Sequence, residues 1–149
     1  MFYGTYEHNV DKKGRITIPS RLRDQTPEGV LVVTLGLDKN LWAFTTEAFD
    51  NLMQSLGVQS LTDPDARRIL RRIAGKSAEL TFDSAGRILI PPSLREEVEI
   101  EEEVVIVGSA FYFEIWAKDK LKEHEEKNND PEAQENAWRA IDIPIRGIK

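Results

Sequence analysis

Hydrophobic and polar positions alternate in short runs along much of this chain, and one run occurs twice. Arg15-Ile16-Thr17-Ile18 and Arg87-Ile88-Leu89-Ile90 both place isoleucine at every second position, the period of a half-buried strand. Each run follows an Asp-x-x-Gly stretch, Asp11 to Gly14 and Asp83 to Gly86, and each is closed by a proline, Pro19 and Pro91. An Asp carboxylate accepts backbone N–H groups and glycine takes positive φ at no steric cost, so Asp-x-x-Gly predicts a tight turn. Proline cannot donate to a ladder and ends the strand. The two stretches lie 72 positions apart, and eight of the thirteen positions in 11–23 recur without a gap in 83–95. The same offset pairs Gly36 with Gly108, Phe44 with Trp116 and Phe49 with Leu121. Two copies predict a duplicated unit, not a solenoid. Each copy reads as strand, turn, strand and then a short helix, at Arg21–Gln25 and Leu94–Val98.

The remaining pattern supplies the other elements. Residues 2–10 form an aromatic-rich extended lead. Val30–Leu35 reads as a buried strand, paired through Asp38-Lys39-Asn40 with Leu41–Thr45. Thr46 is expected to cap a helix with Phe49, Leu52, Met53 and Leu56 on one face and Gly57 as its stop. A second helix runs from Thr62, with Pro64 and Asp65 in its first turn, to Gly75, its inner face Ala66, Ile69, Leu70 and Ile73. Ala78–Phe82 is a strand with Arg87–Ile90 as its expected partner, and Val104–Val107 pairs with Phe111–Trp116. Residues 117–129 look helical, and Asp130-Pro131 caps a helix through Ala140. Ile141-Asp142-Ile143-Pro144-Ile145 is an apolar tail without a repeat counterpart, suited to packing on a neighbouring subunit or within the chain. The fold class is mainly β with short helices (α+β): a first repeat at 5–47, a helical linker at 48–76, a second repeat at 77–120 and a C-terminal helical tail at 121–149.

Composition narrows the chemistry. A chain of 149 residues, 40% apolar, has length for one or two small domains with a real core. It has no cysteine, so disulfides, thiolate metal sites and a Cys nucleophile are excluded. No apolar run approaches a membrane span and no basic, apolar segment opens the chain, so a cytoplasmic location is expected. The net charge of −6 hides an asymmetry: residues 1–95 carry 13 Lys+Arg against 11 Asp+Glu, and residues 96–149 carry 7 against 15. The first part can therefore offer a basic patch to a polyanion despite the acidic total. Arg67, Arg68, Arg71 and Arg72 form a basic stripe on the second helix, with Asp63 placed to neutralise Arg67 at i,i+4. That stripe suits a solvated face, a phosphate surface or a subunit contact. Glu96, Glu97, Glu99, Glu101, Glu102 and Glu103 form an acidic run, read as a solvated connection.

Catalysis finds little support. Asp11 and Asp83 are related by the repeat, as are the carboxylates of aspartic proteases. Those sites need Asp-Thr/Ser-Gly, however, and here glycine stands three residues after Asp with arginine next. His8 and His124 are isolated, so no metal cluster and no His-based triad is visible. No catalytic residue, metal or cofactor is expected. Arginine directly after glycine in both copies is the feature that the fold alone does not demand.

Asp11-x-x-Gly14-Arg15-Ile16-x-Ile18-Pro19, its twin at Asp83–Pro91, the Phe2-x-Gly4 approach and Leu94-Arg95 resemble the MraZ family, a tandem form of the SpoVT/AbrB-like DNA-binding fold, over roughly 2–121. The resemblance implies a pseudo-twofold, double-psi/AbrB-like β-barrel of two interlocked halves, and subunits that assemble into a ring-like homo-oligomer. It implies a bacterial transcriptional regulator, typically a repressor, acting at the promoter of the division and cell-wall gene cluster and associated with the nucleoid. Double-stranded DNA is then the partner, with Arg15 and Arg87 as the key residues. Lys12 and Lys13 join them as phosphate contacts, and Arg21, Arg23 and Arg95 are backbone-contact candidates or simply solvated helix ends. Asp11, Gly14, Asp83 and Gly86 build the turns. Lys12-Lys13 becomes Ser84-Ala85 in the second copy, so the first turn is expected to carry more of the binding. The competing expectation is a non-catalytic assembly or antitoxin-like module whose rim binds a protein.

Overall fold

The computed structural model describes residues 1–141, with the side chains of residues 59 and 60 excepted; the tail beyond Ile141 lies outside the described residues. The elements run β1 (Thr5–Asn9), β2 (Arg15–Thr17), α1 (Ser20–Arg23), β3 (Val30–Leu35), β4 (Leu41–Phe44), α2 (Thr46–Ser60) and α3 (Pro64–Gly75). Then follow β5 (Ala78–Thr81), β6 (Arg87–Leu89), α4 (Pro92–Glu97), β7 (Glu103–Gly108), β8 (Phe113–Ala117), α5 (Lys118–Lys127) and α6 (Pro131–Arg139). This is a mixed α+β architecture with antiparallel strand pairing throughout.

Six strands form one sheet in the order β1-β7-β8-β4-β3-β5, and β2 and β6 form a separate ribbon. The order is palindromic once the copies are exchanged, because β1, β3 and β4 correspond to β5, β7 and β8. Each copy lends its first strand to the other: β1 pairs with β7, and β5 with β3. The hydrogen-bonded sheet is open, with β1 and β5 as its edges.

The expected pairing of β5 with β6 does not form. β6 pairs with β2 across the copies, with Arg15 opposite Leu89, Ile16 opposite Ile88 and Thr17 opposite Arg87. The two arms of the first turn share only an isolated bridge between Val10 and Ile16. The ribbon is extended at each end by a cross-copy bond, Ile18 N–H to the Gly86 carbonyl (3.0 Å) and Ile90 N–H to the Gly14 carbonyl (3.2 Å). Local alternation predicts the strands correctly, but it carries no information about a partner 72 residues away.

The ribbon lies over one face of the sheet. Ile16, Ile18, Ile88 and Ile90 are fully buried and share a core with Leu31, Val33, Leu41, Ile106, Phe113 and Ile115. Leu22 of α1 and Leu94 of α4 seal its ends. The sheet's other face carries the longer helices. Phe49 of α2 meets Phe44 edge-on at 5.7 Å between ring centroids, the Thr34 hydroxyl donates to the Ile73 carbonyl of α3 (2.7 Å), and His124 of α5 lies 5.1 Å from Trp116.

Helix boundaries moved where tertiary contact outweighed local signals. Thr45, not Thr46, caps α2 by accepting from Ala48 N–H, and the helix continues through Gly57 to Ser60 while packing against α3. Asp63 caps α3, accepting from Asp65 and Ala66 N–H. Its carboxylate is therefore engaged with backbone, and Arg67 instead donates to the Leu61 carbonyl (3.1 Å).

Candidate functional site

The two turns are built to one plan. Asp11 Oδ1 accepts from the N–H groups of Lys13 and Arg15, both at 2.9 Å, and Oδ2 accepts from Arg15 Nε at 2.6 Å. Asp83 repeats the plan with Ala85 and Arg87 N–H at 2.9 Å and Arg87 Nε at 2.8 Å. Gly14 at φ +86° and Gly86 at φ +76° make the left-handed step that closes each turn. Three hydrogen bonds per carboxylate favour its charged form. The Arg15 backbone N–H is the largest influence on Asp11 and, with the guanidinium and Lys13 N–H, lowers its pKa from 3.8 to about 2 against an opposing desolvation. Asp83 is lowered in the same way, with the Arg87 N–H as the leading cause.

These bonds orient the guanidinium groups. Each Asp holds its arginine by Nε, so the terminal Nη edge is the part that extends beyond the pair. Arg87 Nη1 also lies 3.8 Å from Asp11 Oδ2, which joins the second turn to the first. Both arginines are about one-third exposed, at 29% and 32%. They stand on one surface because of the ribbon register. With Ile16 and Ile88 facing inward, alternation turns Arg15, Thr17, Arg87 and Leu89 to the outer face. Lys12 and Lys13 are exposed at the tip of the first turn, and Ser84 and Ala85 at the tip of the second.

Arg21 is exposed on α1. Arg23 and Arg95, placed by the sequence among the backbone-contact candidates, are half-buried and engaged in a different way. Arg23 Nε donates to the Ile18 carbonyl at 2.9 Å, and Arg95 Nε to the Ile90 carbonyl at 3.1 Å. Their guanidinium planes cover the turn glycines of the opposite copy. A Cβ at Gly86 would stand 2.5 Å from Arg23 Cζ, and one at Gly14 would stand 2.5 Å from Arg95 Cζ. Each copy's helix thus braces the other copy's turn. Sequence reasoning missed this bracing and the Asp–Arg Nε bonds. The Asp-x-x-Gly-Arg spacing, with the charges at i,i+4, is the signal that points to the latter.

The arginine stripe on α3 is partly occupied within the chain. Arg72 Nη1 donates to the Gly36 carbonyl (2.8 Å), and Arg68 pairs with Asp65 at 3.5 Å. The acidic run is exposed and partly paired: Glu99 with Lys39 and Lys120, Glu103 with Lys118, which also meets Glu7. The Glu99 carboxyl is lowered, by Lys39 first and then Lys120. Among the described residues no group of His, Asp and Glu is arranged to hold a metal ion, and no helix is long and apolar enough to cross a membrane.

Known proteins share the two-part organisation of this chain. The profile of the family described as "MraZ protein, putative antitoxin-like" matches the chain twice, at residues 1–72 and 73–143. A protein of Acetivibrio thermocellus named "Transcriptional regulator MraZ" is 40% identical over 129 residues, covering 87% of this chain and 90% of its own length. A protein of Thermoanaerobacter sp. (strain X514) with the same name is 37% identical over 145 residues, covering 97% of this chain and all of its own. One of Roseiflexus sp. (strain RS-1), again so named, is 41% identical over 117 residues, 78% of this chain and 81% of its own. Two matched halves and full-length relatives at this identity establish that the chain belongs to the MraZ family.

Proposed function

We propose that this protein is a sequence-specific, DNA-binding transcriptional regulator that presents the outer face of the β2–β6 ribbon to duplex DNA. The observation that carries the reading is the pair of Asp-held arginines, Arg15 and Arg87, on one ribbon face. A two-stranded ribbon fits the major groove, and an arginine fork suits guanine O6 and N7. Holding each guanidinium by Nε before binding lowers the entropy lost on contact. Lys12, Lys13 and Arg21 contact phosphates as exposed cations. Arg23 and Arg95 act as positioning residues, each bracing the opposite turn.

The names of the relatives support regulation of transcription. The palindromic strand order supports a pseudo-twofold, barrel-like pairing of two repeats, at 5–47 and 77–120, joined by the linker at 48–76 and followed by the tail at 121–149. One subunit offers few cations, so tight binding calls for a ring-like homo-oligomer engaging repeated short sites, with an avidity gain of roughly 10²–10⁴. The finer role is repression of the division and cell-wall gene cluster by a cytoplasmic, nucleoid-associated, non-enzymatic protein.

Gel shifts of wild type, Arg15→Ala and Arg87→Ala on double-stranded DNA test the reading. Each variant is expected to bind more weakly, and affinity to fall with salt at a slope of roughly −3 per engaged subunit, from the three phosphate contacts. Equal, sequence-indifferent binding by all three would favour a protein-binding module instead, a reading that the family's antitoxin-like description keeps in view.

A further inference from the structure

The ribbon's outer face has four side chains, and only two are arginine. The other two, Thr17 and Leu89, are equivalent in the repeat and chemically unlike. Thr17 is half-buried opposite Arg87, whereas Leu89 is 52% exposed opposite Arg15. Leu89 stands between Ile88 and Ile90, which are fully buried. The core claims the two isoleucines, so packing within the subunit does not account for the leucine facing outward. A lone exposed leucine is ordinary on a protein surface. This one is fixed on a strand, in register, beside the guanidinium with the two-lysine tip.

We infer that Leu89 is a specificity-determining residue that makes apolar contact with a thymine 5-methyl group next to the base read by Arg15. This inference rests on the proposed DNA-binding function and adds to it the identity of a second base contact. Directly opposed side chains on an antiparallel pair lie about 4.5–5.5 Å apart at Cβ, and stacked bases about 3.4 Å apart. Arg15 and Leu89 therefore reach neighbouring steps. In the major groove thymine alone presents a methyl group, and an aliphatic side chain has no hydrogen-bonding group to offer the other edges. At the equivalent position Thr17 has a hydroxyl, which tolerates several base edges. The two ends of the ribbon thus read DNA unequally, and a preferred site is asymmetric within one subunit's footprint.

The experiment selects preferred duplexes from a randomised pool with the wild-type protein. Each thymidine is then replaced singly by deoxyuridine, which deletes only the methyl group. Binding of wild type, Leu89→Ala, Leu89→Thr and Arg15→Ala is measured, with thermal melts to confirm folding. At one position the replacement is expected to weaken wild type by about 4-fold, the value of one buried methyl. That penalty is expected to be lost in Leu89→Ala, whose side chain no longer reaches out to the methyl, to shrink in Leu89→Thr, which keeps one methyl, and to persist in Arg15→Ala at protein concentrations where it still binds. If Arg15→Ala weakens binding while no deoxyuridine penalty depends on Leu89, the inference is wrong and the DNA-binding reading stands. If no duplex is selected, or Arg15→Ala binds as wild type does, both fall together.

Discussion

The turn at Asp11–Arg15 and the turn at Asp83–Arg87 share the same three carboxylate hydrogen bonds yet differ at their tips. Both place Gly in the left-handed region, both hold the arginine by Nε, and both are covered by an arginine from the opposite copy. The conserved plan between the halves is thus the part that aims a guanidinium. The variable part is what surrounds it: Lys12-Lys13 against Ser84-Ala85 at the tips, and Thr17 against Leu89 on the ribbon. Geometry is the same in both copies, while the charge at the tips and the chemistry of the ribbon's outer face differ. The carboxylates differ as well, since Asp11 takes a second guanidinium, that of Arg87.

If that comparison is right, the double variant Arg15→Ala/Arg87→Ala has the largest effect. Each lost guanine contact removes about 1–3 kcal/mol of discrimination, so the preference for guanine in a competition gel shift should disappear. Of the single variants, Arg15→Ala should cost more than Arg87→Ala, because its tip has the lysines. Equal losses would mean that the tips do not matter.

Glycine replacements probe the shared plan. Gly14→Ala and Gly86→Ala both force a side chain to positive φ and against the covering guanidinium. Each should destabilise the fold by about 1–3 kcal/mol in thermal or denaturant unfolding. Similar losses are expected, since the environments match; a harmless change at either site would show that its turn is not held as described.

Exchanging the tips sharpens the difference. Lys12→Ser/Lys13→Ala gives the first turn the second's chemistry and should flatten the salt dependence by about 1.8 in slope for one subunit. Between 50 and 200 mM salt that amounts to about a tenfold change in sensitivity. Ser84→Lys/Ala85→Lys should steepen it by a similar amount.

The smallest effect is in acid. Asp11 has a folded pKa of about 2 against an ordinary 3.8, and a depressed carboxylate stabilises the fold above its unfolded pKa. Its contribution is full above about pH 4 and is lost as pH falls toward 2. Carboxyl-carbon NMR titration should find Asp11 and Asp83 both below the usual range. In Arg15→Ala the Asp11 value should rise only partway, because the backbone N–H bonds, the leading cause, remain.

Much of this site was legible in the amino-acid order. The Asp-x-x-Gly-Arg spacing, the alternating isoleucines and the closing prolines are local signals, and they mark the turns and β2 and β6 within a residue or two. Val30–Leu35 forms the strand its pattern predicts. What was hidden is non-local. Nothing in Ile88 says that its neighbour is Ile16 rather than a residue of β5, and nothing in Arg23 or Arg95 announces that each lies over a glycine of the other copy. Helix α2 passes through Gly57 because packing against α3 and the sheet outweighs the propensity of one residue.

The most direct measurement is a binding series on selected duplexes in which single guanines are replaced by 7-deazaguanine, which removes the N7 acceptor an arginine fork uses. Wild type should lose affinity at the guanines that Arg15 and Arg87 contact, and Arg15→Ala should bind more weakly overall and show no further loss at one of them. If Arg15→Ala bound every duplex as tightly as wild type, with the same dependence on guanine N7, the ribbon's guanidinium groups would not be what this protein reads DNA with.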